Sequence, residues 1–341
     1  MSQDLRLRTG FEVELLAPAG CSRQVLAQEL ARSCGGRVRP VWHSDSEPSL
    51  VPGLGHFLHL TQGFEVDRPD GRLLCALVDD VTLVADLDPR SAAVPGWHRL
   101  LTDDGRLLRL LARHSDPGGT LDAALDGVAA LWGAQVERHA PVARLQAAGS
   151  TVALAAPQGG GRERACEIVT PPLVSDHAVA LEELLAPARA LGFSVPREAA
   201  VHLHLDGAPF REPQALASVV RLFAHERDEL HTALGTNPHC RRLGPLPAEL
   251  VRAADQCADW AQLEAAARQG GLSKYCDVNL TQLFADRPVR DTLEVRILPG
   301  ALHADDVVAG AHLVEGLLQR CLDPAQPPGA GGVLSASLRS R

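Results

Sequence analysis

Three short stretches, 10-GFEVELLAP-18, 200-AVHLHLD-206 and 292-TLEVRIL-298, carry an ionisable side chain at alternate positions. Apolar residues fill the positions between. A strand would therefore bury one face and gather Glu12 with Glu14, His202 with His204, and Glu294 with Arg296 on the other. A fourth run, 165-ACEIVTPPL-173, adds Glu167. Paired carboxylates repel, and each costs free energy to desolvate, so a face that holds them must meet water, a donor or a cation. Each pattern alone has a plain reading. E-x-E is commonly a solvated face, H-x-H serves zinc hydrolases and ordinary surfaces alike, and E-x-R forms a surface ion pair worth about 0–1 kcal/mol. Side by side in one sheet, the strands would make a floor of carboxylates, imidazoles and a guanidinium. Carboxylate oxygens with few imidazoles suit Mg2+ or Mn2+, which also bind phosphate. An arginine two residues from a liganding glutamate can offset charge on a transferring phosphoryl group. No G-x-x-x-x-G-K-[ST] loop is present, and 158-QGGGR-162 is too plain for a phosphate cradle, so ATP chemistry would proceed without a P-loop.

The elements that must position these residues follow from apolar spacing and punctuation. The spacing predicts helices over 22–34, 120–137, 176–191 with a break near Pro187, 213–234, 247–269 and 304–322. It predicts strands over 11–16, 56–60, 73–78, 81–86, 150–156, 165–169, 200–206, 276–280 and 292–298. Strands follow one another through short connections, which suits an α+β fold with a largely antiparallel sheet rather than a doubly wound one. The stretch 157–164 reads as a turn or mobile loop, and 323–341 as a disordered tail. Residues 1–322 read as one domain.

A chain of 341 residues with 45% hydrophobic and 22% charged residues can bury a full core. The net charge of −9 argues against a nucleic-acid backbone or an anionic membrane as the main partner. Lysine occurs once, as Lys274, so positive charge is carried by arginine. The eight cysteines form no C-x-x-C pair or tight framework, and no apolar run reaches the length of a membrane span or a secretory leader, so a reduced cytoplasmic setting is expected.

The blocks GFEVELLAP, CEIVTPPL, AVHLHLD, KYCDVNL and TLEVRILPG, in that order across 10–318, resemble the signature of the amidoligase family. That family lies within the carboxylate-amine ligase superfamily related to glutamine synthetase and glutamate-cysteine ligase. The resemblance implies a curved, largely antiparallel sheet with helices packed on one side, like the glutamine synthetase catalytic domain. It implies ATP and two or three Mg2+ or Mn2+ ions on the concave face. By motif, Glu12, Glu14, Glu167, His202 and Glu294 match metal ligands. Arg296 matches the arginine that contacts the transferred phosphate, with His204 and Asn279 near the nucleotide phosphates. Glu294 and Arg296 are then the catalytic pair. Arg241 and Arg242 either clamp a substrate carboxylate or pair with surface acids. Asp79 and Asp80 either form a further acidic element, with Asp80 toward substrate, or are plain surface acids. Lys274 either touches nucleotide or is a solvated lysine. The expected reaction joins a carboxylate to an amine, from small molecules or a peptide or protein side chain, through an acyl phosphate. The alternatives are a zinc-dependent hydrolase using His202 and His204, and a non-catalytic nucleotide-binding module.

Overall fold

A computed structural model describes residues 4–48, 56–241 and 243–323. The expected tail beyond 323 and Arg242 lie outside the described residues. Among those residues the protein is α+β, and every strand pairing whose register is known is antiparallel. The strands are β1 (Thr9–Leu16), β2 (Arg37–Pro48), β3 (His56–Asp67), β4 (Leu73–Val78), β5 (His98–Thr102), β6 (Gln135–His139), β7 (Val142–Ala147), β8 (Ser150–Pro157), β9 (Ala165–Val169), β10 (Ala200–Asp206), β11 (Val278–Asn279) and β12 (Thr292–Pro299). The helices are α1 (Arg23–Cys34), α2 (Gly105–His114), α3 (Asp126–Trp132), α4 (His177–Ala190), α5 (Pro213–His225), α6 (Arg227–Leu234), α7 (Ala248–Asp255), α8 (Trp260–Gln269) and α9 (Ala304–Leu322). None is long and apolar enough to cross a membrane.

The chain divides into two compact units, one of Met1–Glu14, Thr170–Ala186 and Val195–Arg341, the other of Leu15–Val169 and Pro187–Ser194. In the first unit the strand order is β11-β12-β10-β1. Helix α9 supplies much of its core, because Val307, Val308, Ala311, Val314, Leu317, Leu318 and Cys321 recur at three- and four-residue spacing and are all buried. Its buried acid, Glu315, accepts the backbone N–H groups of Arg6 at 2.7 Å and Leu7 at 2.6 Å and so ties down the bend that leads into β1. Phe11 and Val13 of β1 are fully buried.

In the second unit the order is β9-β4-β3-β5-β8-β7-β6, with β2 also pairing β3. Leu107, Leu108 and Leu111 of α2, with Val128 and Ala129 of α3, pack on Leu100, Leu145 and Ala155 of the strands. At its centre is Arg23, completely buried. Its Nε and one terminal nitrogen donate to the Gln62 carbonyl at 2.9 and 2.8 Å, and the other donates to the carbonyls of Arg162 at 2.6 Å and Ala165 at 3.1 Å. The guanidinium lies 4.4 Å from the centre of the Trp97 ring, a cation–π contact. Burial pulls its pKa below the ordinary range, against which Asp79 acts.

Several sequence expectations need correction. The segment 120–137 is α3 followed by strand β6, because Gly133 adopts φ 59° and ends the helix in a left-handed cap. The segment 81–86 is a turn: the Asp80 carboxylate accepts the Thr82 N–H at 2.7 Å and its hydroxyl at 2.8 Å, reversing the chain. The helix expected over 213–234 is interrupted at Glu226, and that over 247–269 at Cys257, whose φ is 53°. Residues 276–280 form strand only at Val278–Asn279, while β2, β5, β7 and α2 were not anticipated. The stretch 157–164 is a turn held in place by Arg162 and by Arg164, whose Nε donates to the Ala17 carbonyl at 2.8 Å.

Truncation of Arg23 strips the buried carbonyls of Gln62 and Ala165, and the part-buried one of Arg162, of this donor, each buried group costing about 1–3 kcal/mol to leave unpaired. Arg23→Ala is therefore expected to lower unfolding free energy by roughly 3–5 kcal/mol, read as a shift of the urea midpoint. An unchanged midpoint would mean that water replaces the guanidinium.

Candidate functional site

The register of the first unit decides which side chains meet. Glu12 of β1 stands opposite His202 of β10, His204 stands opposite Glu294 of β12, and Glu294 stands opposite Asn279 of β11. Residues up to 282 apart in sequence thus form one polar row. Opposing Cβ atoms in an antiparallel pair are about 4.5–5.5 Å apart, so the contact is direct.

Within that row each charge has a partner. His204 Nε2 lies 3.0 Å from Glu12 Oε1, and His202 Nδ1 lies 3.3 Å from Glu12 Oε2. His202 Nε2 also lies 3.3 Å from Glu14 Oε1, whose other oxygen accepts the Ala200 N–H at 2.7 Å. Glu294 accepts from the Arg296 guanidinium on one oxygen and from Asn279 Nδ2, at 2.7 Å, on the other. Asn279 Oδ1 in turn accepts the Thr281 N–H at 3.0 Å and its hydroxyl at 2.6 Å, which fixes the amide that donates to Glu294. Burial acts to raise the Glu12 pKa, but the His204 and His202 imidazoles hold it well below the usual carboxylate range. Burial acts to lower that of His204, yet Glu12 brings it above the ordinary value. Glu294 is lowered against burial, chiefly by Arg296, and Arg296 is raised by Glu294.

A bulge aims the arginine. Between Val201 and Leu203 of β10 the pairing slips by one residue, so that Arg296 and Ile297 of β12 together oppose His202. Alternation breaks at that point, and Ile297 and Leu298 are both buried. Arg296 Nε is buried there with no acceptor among the described residues. An unpaired buried donor costs about 1–3 kcal/mol, so its natural complement is an oxygen-rich ligand.

One ligand atom each from Glu12, His204 and Glu294 lies within 4.8 Å of the others. Two carboxylates and an imidazole at that separation are a donor set for a hard or borderline divalent cation, so the residues fit the ions that the sequence implies.

The family model described as "Putative amidoligase enzyme" matches residues 5–318. The chain belongs to the amidoligase family. No curated protein and no solved structure matches it significantly. Membership supports a ligase-type enzyme in general, and the row on β1, β10, β11 and β12 falls on four of the five blocks that carried the resemblance.

The remaining candidates lie outside those four strands. Glu167 is a buried residue of β9 in the second unit, opposite Val78 of β4. Asp79 is no surface acid: it is buried, paired with Arg162, and accepts Gln158 Nε2 at 2.6 Å. Asp80 holds the turn to Thr82. Arg241 is exposed. Lys274 is exposed too, its ammonium 5.5 Å from the Tyr275 ring.

Two contributors were missed. Arg290 reaches Glu12 Oε1 at 2.8 Å from the connection before β12, where the sequence around it has no periodic signal. Asp277 is buried between Arg227 Nε at 2.6 Å and His231 Nε2 at 2.9 Å, and its carbonyl accepts the Arg296 N–H at 3.0 Å. Its place in the KYCDVNL block was the one available signal.

These shifts predict a stability optimum for the metal-free protein. Glu12, lowered from 4.5, stabilises the fold above that value and loses the effect as pH falls through its folded pKa. His204, raised from 6.5, stabilises below that value and loses the effect as pH rises through its folded pKa. Urea unfolding across pH should therefore show the pair's full contribution between 4.5 and 6.5, and Glu12→Gln should flatten both flanks. Flanks that persist in the variant would assign them to other groups.

Proposed function

We propose that the protein is an ATP-dependent ligase that joins a carboxylate to an amine through an acyl phosphate. The observation that carries this reading is the polar row itself, in which paired carboxylates and imidazoles lie beside a buried arginine with an unused donor. Glu12, Glu14, His202 and Glu294, with Glu167, are the proposed ligands for two or three Mg2+ or Mn2+ ions. Bound there, divalent ions would supply charge neutralisation for the nucleotide phosphates.

The chain's own groups would then do the following. Arg296, held by Glu294, offers its free Nε–H and the rest of its fork to the phosphoryl group in transfer. His204 faces the phosphates, and Asn279 keeps Glu294 in place. The substrate carboxylate oxygen attacks the terminal phosphorus of ATP and ADP leaves. The amine nitrogen then attacks the acyl carbon, phosphate leaves, and the amine gives up its proton. No protein nucleophile is required. Arg241, Arg242 and Asp80 are proposed toward the acid and amine, which are small molecules or a peptide or protein side chain.

Purified protein given ATP, Mg2+ and pools of acids and amines should release ADP and phosphate, and a chelator should stop it. Arg296→Lys keeps the charge but loses the planar fork, and should cut turnover roughly 10²- to 10³-fold with the fold retained by circular dichroism. Glu12→Gln should weaken metal-dependent nucleotide binding. AMP and pyrophosphate as products would overturn the acyl-phosphate route, and stoichiometric zinc with ATP-independent hydrolysis would favour a hydrolase using His202 and His204.

A further inference from the structure

Arg290 is the odd member of the charged row. The side chains of Glu12, Glu14, His202, His204, Glu294 and Arg296 are each at most 13% exposed, whereas that of Arg290 is 50% exposed. It enters from the solvent side and lies 2.8 Å from Glu12 Oε1, the same oxygen that His204 Nε2 approaches at 3.0 Å. The backbone beneath it is tied: Gln282 Oε1 accepts the Val289 N–H at 2.9 Å, and the carbonyl of Asp291, the next residue, accepts the Gly207 N–H at 2.9 Å. Movement therefore falls to the side chain, whose three methylenes and guanidinium can swing without disturbing the strand.

Glu12 is also one of three residues whose ligand atoms cluster for a cation. A divalent ion on that carboxylate and a guanidinium against its Oε1 would repel each other strongly at such range. They are alternatives for one anion. Resting on the metal reading of Glu12, we propose that Arg290 is an exchangeable counter-ion that sets the site's affinity for divalent cations. It neutralises Glu12 in the ion-free protein and is displaced into solvent when an ion takes its place. The arrangement keeps a buried carboxylate compensated in both states, at the cost of weaker ion binding than the bare ligands would give.

Calorimetric titration of Mn2+ alone into nucleotide-free wild type, Arg290→Ala and Arg290→Lys tests the exchange. Arg290→Ala is expected to bind Mn2+ roughly three- to fivefold more tightly, the worth of a partly exposed ion pair, with Arg290→Lys close to wild type. The thermal midpoint of ion-free Arg290→Ala should fall below wild type, and saturating Mn2+ should close that gap. Equal or weaker Mn2+ binding by Arg290→Ala, or a gap that survives saturation, would overturn the exchange while leaving the metal reading intact. No Mn2+ uptake by wild type would overturn the metal reading and the exchange with it.

Discussion

Everything at the polar row answers to one constraint: three carboxylates, Glu12, Glu14 and Glu294, are largely removed from water on the floor of a sheet. Uncompensated, a buried carboxylate takes up a proton or destabilises the fold by several kcal/mol. Here the compensation comes from imidazoles across the strand pair for Glu12, and for Glu294 from the guanidinium of Arg296 on its own strand and the Asn279 amide on the next. A site held in this manner is preorganised. Its charges are fixed by the ladder of β1, β10, β11 and β12 and need little rearrangement to meet a ligand, which is the condition under which electrostatic stabilisation of a transition state is largest.

The same need for buried charge to be satisfied shapes the second unit, with the opposite sign. Arg23 is ringed by carbonyls and capped by the Trp97 ring. Nearby, Asp79 is met by Arg162 and Gln158 from a turn. Engaged groups of this kind stabilise structure, whereas Arg296 Nε is a buried donor without an acceptor among the described residues.

Membership of the amidoligase family and the geometry of the row support each other. The family match covers residues 5–318 and so spans all four strands of the row. The row adds what a family match cannot, namely that Glu12 lies against His202 and His204 rather than merely preceding them in sequence, and that a bulge turns Arg296 beside His202. The deletion of one step of alternation at Ile297–Leu298 is the trace that this bulge leaves in the burial pattern.

Read alone, the sequence was enough to place the chemistry on strands and to define the helices that are punctuated clearly. Period-two patterns at 11–16, 200–206 and 292–298 became strands, and α1, α4 and α9 lie close to their expected bounds, because alternation, capping residues and apolar spacing are local properties. Where the chain turned on a single residue, as at Asp80, Glu226 or Cys257, local pattern failed, since a side-chain hydrogen bond or one backbone angle outweighed several residues of propensity. What only the tertiary structure decided was register and approach: that Glu294 faces both His204 and Asn279, that Asp277 lies between Arg227 and His231, and that Arg290 reaches Glu12. Those are relations between residues far apart along the chain, fixed by strand pairing and by the need of each buried charge for a partner, and no window of sequence contains both members.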